Sequence, residues 1–430
     1  MTATYPETFM NLSERDKKVI WHPYTSAYSP TPIPIVKAEG AYLYTEEGKK
    51  IIDFNSSWWV TAHGHSHPYI AQAISQQAST LEQVIFAGFT HEPAIRLAER
   101  ILSYFPTLSK VFFSDNGSTA VEIALKMCFQ AWYNQDKPRS KVIAFEGSYH
   151  GDTFGSMSVS ERDIFTAAFH TLLFDVKYLP YPTKNNFKQV FEELEYLCKT
   201  DEYASCIIEP IVQGVAGMRI THPDFIAEIW KICKKYNVFT IADEVMTGFA
   251  RTGTLFACQQ IEIQPDIVCL SKCLTGGFLP LGLTLCADDI FEHFLTQDKT
   301  KTFFHGHSFT ANPIACAAAN ANLDLFEQKE TRDKLNTLYT NLAAIKEELN
   351  KCTFLYNVRH IGGILAFELG SSERHYLNAI STKIRSFYLE RSLLVRPLGN
   401  TVYIIPPYCI TEQDLLEFEQ VTQCLHFLPA

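Results

Sequence analysis

Between about residue 110 and residue 290 the chain alternates short apolar, β-branched runs with longer stretches of helical periodicity. That alternation limits the fold to parallel strands joined by crossover helices, an α/β architecture. The candidate strands are Val111–Phe113, Val142–Phe145, Cys206–Ile208, Val238–Ala242 and Ile267–Leu270. Each gives way at once to polar or glycine-rich residues: Asp115-Asn116-Gly117-Ser118, Gly147-Ser148-Tyr149-His150, Glu209-Pro210, Asp243-Glu244 and Ser271-Lys272. In open α/β sheets ligands bind beyond the carboxyl ends of the strands, so these clusters are expected to converge on one site.

The chain ends read differently. Prolines at 23, 30, 32 and 34 precede strand-like Tyr42–Tyr44 and Ile51–Phe54 around the turn Glu47-Gly48, which predicts an extended arm and a hairpin. From about residue 325 a charged helix (Arg332–Asn350), strands near Ile364–Leu369 and Val402–Ile405 and a last helix from Glu412 are expected. The division that follows is an N-terminal arm and hairpin over 1–60, a large domain over 61–325 and a C-terminal domain over 326–430, the two ends forming a smaller α+β domain.

A chain of 430 residues with 47% hydrophobic and 20% charged residues has enough apolar surface for such a core. Its formal net charge of −10 argues against a surface built to neutralise nucleic-acid phosphates or anionic lipids, leaving small molecules as the expected partners. Twelve cysteines, with no Cys-x-x-Cys pair, suggest neither a zinc ribbon nor a disulfide framework, and no metal is expected. Met1–Ser13 has no signal-peptide pattern and no apolar stretch is long enough to span a membrane. A cytoplasmic location is the default expectation.

Four strand ends carry recognisable chemistry. Gly117 and Ser118 open a stretch whose apolar positions Val121, Leu125, Cys128 and Trp132 fall on one helix face. A glycine at a helix start admits a phosphate close to free N–H groups, although so short a string serves equally as a plain helix cap. Asp243 ends an apolar strand, where a buried carboxylate needs a partner such as a protonated ring nitrogen. It is adjacent to Glu244, and only one of two successive side chains on an extended chain can enter the site. Lys272 follows another apolar run; loss of hydration there would lower its pKa and let the amine act as nucleophile or Schiff base. Tyr149 and His150 offer flat rings that could stack on a planar cofactor, or merely fill a turn.

Taken together these segments resemble the class III (ω-type) aminotransferases of fold type I, in the family's order over nearly the whole chain. The resemblance implies a large domain with a mostly parallel seven-stranded sheet plus a smaller α+β domain, pyridoxal 5'-phosphate as cofactor, and ping-pong transfer of an amino group between two small molecules. It implies that Gly117 and Ser118 bind the cofactor phosphate, that Tyr149 and Val245 cover the two ring faces, that Asp243 pairs with the ring nitrogen and that Lys272 carries the cofactor as a Schiff base. Within Phe303-Phe304-His305-Gly306-His307-Ser308-Phe309, Ser308 resembles a phosphate ligand donated across a homodimer interface, with His307 beside it.

Further marks are similar to the branch of that class that aminates 8-amino-7-oxononanoate with S-adenosylmethionine as donor, a step of biotin biosynthesis. They are Trp21-His22-Pro23-Tyr24-Thr25, Ser56-Ser57-Trp58-Trp59, Tyr149-His150-Gly151-Asp152-Thr153, Gly248-Phe249-Ala250-Arg251-Thr252-Gly253 and Arg396-Pro397-Leu398-Gly399. The similarity places Tyr24, Trp58, Tyr149, Lys272, Gly306 and Arg396 at the substrate, with Arg251 and Tyr403 nearby. A guanidinium grips a carboxylate through two parallel bonds and flat aromatics suit a long aliphatic keto-amine; one of the two tryptophans is expected in the core. His307 departs from the proline and threonine usual after that glycine in the adenosylmethionine-using branch, and relatives with a His-Gly-His-Ser string can use lysine as donor. A lysine-dependent enzyme, another ω-aminotransferase and an aminomutase on the same scaffold stay open as alternatives.

Overall fold

The computed structural model describes residues 11–26, 28–370 and 379–427. Its centre is a seven-stranded sheet in the spatial order Lys110–Ser114, Gly282–Cys286, Ile267–Leu270, Phe239–Asp243, Tyr203–Ile208, Lys141–Phe145, Val176–Leu179. Every adjacent pair is parallel except those made by Gly282–Cys286, which runs antiparallel to both neighbours. The five strands expected from the sequence are all present.

Both faces of the sheet are covered, and the side chains alternate between two cores. Ile143, Phe145, Ile208, Ala242, Val268 and Leu270 join one core, with helices Phe187–Cys198 and Pro223–Lys235; Val142, Ala144, Ile207, Ile241, Ile267 and Cys269 join the other, with helix Gly117–Asn134. Burial on both faces is why these strands read as continuous apolar runs. Two strands escaped the sequence reading for local reasons. Val176–Leu179 is a half-buried edge strand. Gly282–Cys286 begins with a glycine, a residue depleted in strands, and needs one: a Cβ at Gly282 would lie 2.4 Å from the Asn116 carbonyl oxygen.

The hairpin appears as Tyr42–Thr45 against Lys50–Asp53, in register Tyr42 to Ile52, with Gly48 at φ +79 in the turn and Ile35–Glu39 as a third strand. Leu393–Leu394 pairs in parallel with Ile52–Asp53, so the two chain ends meet in one sheet just ahead of Arg396. A second small sheet combines Leu355–Ile361, Ile364–Leu369 and Thr401–Ile404, with helices Lys329–Leu349 and Glu412–Gln423 nearby in sequence. Among the described residues no helix is long and apolar enough to cross a membrane.

Candidate active site

The strand ends converge on a cavity of about 670 Å³, lined by residues from all five polar clusters, Asn116 to Ser118, Tyr149 to Thr153, Glu209, Asp243 and Ser271-Lys272 among them, and by Trp59, Val245 and Leu279. The Gly117–Asn134 helix begins at its wall. Asn116 caps it, its Oδ1 accepting from the Thr119 N–H at 2.9 Å and its own N–H donating to Thr119 Oγ1 at 3.2 Å. Capping and ligand-binding are therefore compatible, because the cap occupies the Thr119 amide and leaves Gly117 and Ser118 at the cavity wall. A Cβ at Gly117 would stand 2.6 Å from Val245 Cγ1, so the glycine keeps open the gap between helix start and valine. Ser118 Oγ accepts from the Thr153 N–H at 3.0 Å and exchanges a bond with Thr153 Oγ1 at 2.7 Å, which fixes the hydroxyl.

Asp243 is 4% exposed at the end of its strand. Its Oδ1 accepts from the Val245 N–H at 3.0 Å and its Oδ2 bonds His150 Nδ1 at 2.6 Å. Glu244 points the other way: it is fully buried, accepts from Thr247 Oγ1 and from the Ala257 and Cys258 amides, and braces the 244–258 segment. One carboxylate of the pair enters the site, as strand alternation requires. Lys272 sits at φ +46 with its Nζ 4.8 Å from the centre of the Trp59 ring. Burial pushes its ammonium below the usual lysine range, partly offset by the carboxylates of Asp243 and Glu209. An electron-poor ring can therefore be held between a carboxylate, an amine, a helix N-terminus and apolar or aromatic faces. The donor set fits a phosphorylated, protonated heterocycle.

The family model for class-III aminotransferases matches residues 24–425. The chain belongs to that family. Class-III aminotransferases work through pyridoxal phosphate, and the cavity's donor set suits it. The chain is 47% identical over 407 residues, 92% of its length and 95% of the relative's, to the adenosylmethionine-8-amino-7-oxononanoate aminotransferase of Synechococcus elongatus. It is 36% identical to the enzyme of that name from Helicobacter pylori, over 94% of this chain and 95% of the relative. Among solved structures it superimposes with a TM-score of 0.91 on the adenosylmethionine-8-amino-7-oxononanoate aminotransferase of Methanocaldococcus jannaschii, at 33% identity over 96% and 97% of the two chains. An ω-transaminase of Pseudomonas jessenii in complex with PMP gives the same TM-score at 28% identity, over 97% and 98%.

In this aminotransferase Tyr149 lies in the cavity wall, its hydroxyl held well above the ordinary phenol range by burial and by its bond to Tyr24. Tyr24 bonds Asp152 and, at 3.4 Å, the Tyr149 hydroxyl, while its ring is 5.4 Å from that of Trp58. The Arg396 guanidinium lies 4.7 Å over Trp58. Tyr24, Trp58 and Arg396 thus form an outer group joined to the cavity through Tyr149. The two tryptophans divide as expected of such a pair, with Trp58 41% exposed and Trp59 4%, but Trp59 also lines the cavity beneath Lys272. Tyr403 accepts from Trp59 Nε1 at 3.0 Å, and Arg251, fully buried, donates to the Pro406 carbonyl at 3.0 Å and contacts Cys273 Sγ at 3.3 Å. Both support the site from behind.

Gly306, His307 and Ser308 are on a separate loop and are not among the residues that wall the cavity within one chain. That loop is pinned by Gln83 Nε2 on the Ser308 carbonyl at 2.6 Å and by the His307 N–H on Thr310 Oγ1 at 3.0 Å. Sequence reasoning placed Glu209 at the site without giving it a chemical role; it lines the cavity and is buried. Its oxygens accept from the Tyr149 and Gly214 amides at 3.1 and 2.9 Å, and burial pushes its carboxyl up to about 7. The available signal was an acid directly after the apolar run Cys206–Ile208, the same signal that singled out Asp243.

Proposed function

We propose that the enzyme transfers an amino group to 8-amino-7-oxononanoate, giving 7,8-diaminononanoate for biotin synthesis, with S-adenosylmethionine as donor. The observation that carries this reading is the 47% identity, nearly end to end, to a relative named for those two substrates, together with an intact Lys272, Asp243 and Gly117-Ser118 around one cavity. Bound pyridoxal phosphate would supply the electron sink and carry the nitrogen from donor to acceptor. Gly117 and Ser118 would hold its phosphate, Tyr149 and Val245 its ring faces, Asp243 its ring nitrogen and Lys272 its reactive carbon.

Each residue's task follows from its surroundings. Asp243, fixed by the Val245 amide and His150, keeps a proton on the ring nitrogen. Lys272, its proton affinity reduced by burial, would take the proton from the substrate Cα through Nζ and deliver it to the cofactor's reactive carbon, acting as general base and then acid. Arg396 grips the acceptor carboxylate while Trp58 and Tyr24 pack along its chain and exclude water. Donor and acceptor react at Lys272 in turn.

Ser308 and His307 would reach the phosphate of a second copy of the chain, with Gly306 at that copy's substrate, in a homodimer with active sites at the interface. The exposed Phe304 and Phe309 flanking Gly306–Ser308 support an apolar contact there. A cytoplasmic location, and a division near residues 60 and 325, belong to the same reading. The His305-Gly306-His307-Ser308 string favours lysine as a second candidate donor.

The test is a half-reaction. The purified holoenzyme is mixed with S-adenosylmethionine or with lysine and its visible absorbance followed; bleaching by S-adenosylmethionine alone is expected, bleaching by lysine alone replaces the donor, and bleaching by neither ends the specific assignment. Lys272→Ala should abolish turnover, and an active variant would overturn the role given to the lysine.

A further inference from the structure

The Asn55–Val60 segment contains no glycine, yet Ser56, Ser57 and Trp59 adopt φ of +48, +58 and +68, and Ser57 has ψ −96, outside the left-handed helical basin. Conformations of this kind are strained and persist only where the surroundings impose them. Here they do. Asp53, fully buried, accepts from the Asn55 amide at 3.0 Å through Oδ1 and from the Ser57 amide at 2.6 Å through Oδ2, and His65 Nε2 bonds the same Oδ2 at 2.9 Å. Ser56 Oγ donates to the Ile405 carbonyl at 2.7 Å, and Trp59 is tied to Tyr403. The kink sends two successive indoles apart, Trp59 beneath Lys272 and Trp58 outward against Arg396.

A second tie joins this kink to the arginine. Asn55 Oδ1 accepts from the Arg396 backbone N–H at 2.8 Å, across 341 residues of sequence. The segments carrying Trp58 and Arg396 are thereby fastened to each other as well as to the fold.

We propose that Asn55 and Asp53 are positioning residues for acceptor recognition, holding Trp58 and Arg396 as one preorganised surface for a carboxylate on an aliphatic chain. The proposal rests on the reading of the acceptor given above. Rigid presentation matters because the entropy of ordering two loops would otherwise be subtracted from substrate binding. Neither residue touches the reacting atoms, and Trp59 beneath Lys272 is held separately by its bond to Tyr403, so the clamp acts on acceptor affinity.

Two variants test it, with 8-amino-7-oxononanoate as acceptor and the S-adenosylmethionine half-reaction as internal reference. Asn55→Ala removes the acceptor atom for the Arg396 amide; the expected result is an acceptor KM raised about tenfold with kcat and the donor half-reaction rate each within about twofold of wild type. Ser57→Gly keeps the N–H that Asp53 holds but releases the steric constraint; its melting temperature should not fall, and its acceptor KM should rise by about threefold. An unchanged acceptor KM in both, or equal losses in the donor and acceptor steps, overturns the clamp. If Asn55→Ala does not fold, Ser57→Gly decides on the same criteria. A wild-type enzyme that does not aminate 8-amino-7-oxononanoate would remove the underlying reading, whereas wild-type turnover with unchanged variants removes only the clamp.

Discussion

Replacing Glu209 by glutamine should change how the stability of the cofactor-free chain depends on pH, and the size of the change follows from the site. The carboxyl is buried with its two oxygens accepting from the Tyr149 and Gly214 amides, while Asp243 adds a second negative charge and His150 acts in the opposite sense. Burial dominates and raises its pKa from the ordinary 4.5 to about 7. At ~1.4 kcal/mol per tenfold change in proton affinity, the ionised form is penalised in the folded chain by roughly 3 kcal/mol. Between those two pH values the folded chain holds a proton that the unfolded chain has released, so wild-type stability from this group is full below about pH 4.5 and is lost as the pH rises through 7. Glutamine cannot ionise. It places an NH2 against one of the two amide donors, a cost of about 1–3 kcal/mol that does not vary with pH. Urea unfolding of both cofactor-free proteins, followed by circular dichroism at pH 4.5 and pH 8, should find the variant weaker at the acidic end and recovering by roughly 3 kcal/mol relative to wild type at the basic end. A stability difference constant to within about 1 kcal/mol over that range would refute the argument, because the carboxyl would then have the same proton affinity folded and unfolded.

Two further substitutions address the cofactor cradle. Gly117→Ala puts a methyl where Val245 Cγ1 is 2.6 Å away; pyridoxal phosphate binding to the cofactor-free protein, measured by fluorescence titration, should weaken by at least about tenfold, and unaltered affinity would mean that the gap is not part of the cradle. His150→Phe deletes the 2.6 Å bond to Asp243, whereas His150→Asn can offer an amide nitrogen where Nδ1 stood; kcat should fall by about tenfold or more in the first and be largely restored in the second, and equal activity of the two variants would show that Asp243 needs no such support.

What the sequence made legible is what depends on local pattern. Strand ends at Asp115, Tyr149, Glu209, Asp243 and Lys272 could be located because doubly buried strands are continuous apolar runs and their polar ends stand out. The rule that ligands bind beyond those ends then gathered them into one site before any contact was known. That only one of Asp243 and Glu244 enters the site followed from the alternation of an extended chain, and the family resemblance said which. Gly282–Cys286 was hidden because its opening glycine answers a steric demand from Asn116, some 160 residues away, and weakens the strand pattern in doing so.

The same distinction explains the functional residues that pattern did not reveal. The partner of His150 is 93 residues distant and that of Asn55 is 341; no periodicity records such a pair, and each residue on its own reads as turn filler. Backbone conformation hides even better. Ser56, Ser57 and Trp59 occupy left-handed φ without the glycine that ordinarily advertises it, so a segment whose shape opposes its own composition looks ordinary in sequence. That opposition is itself informative once the structure is known. A chain that keeps serine and tryptophan where glycine would be less strained must recover the cost through contacts made by those side chains, and here the contacts lead from Trp59 to Lys272 and from Trp58 to Arg396. Local inconsistency between residue type and backbone therefore points to the same cavity that the strand ends did, by an independent physical route.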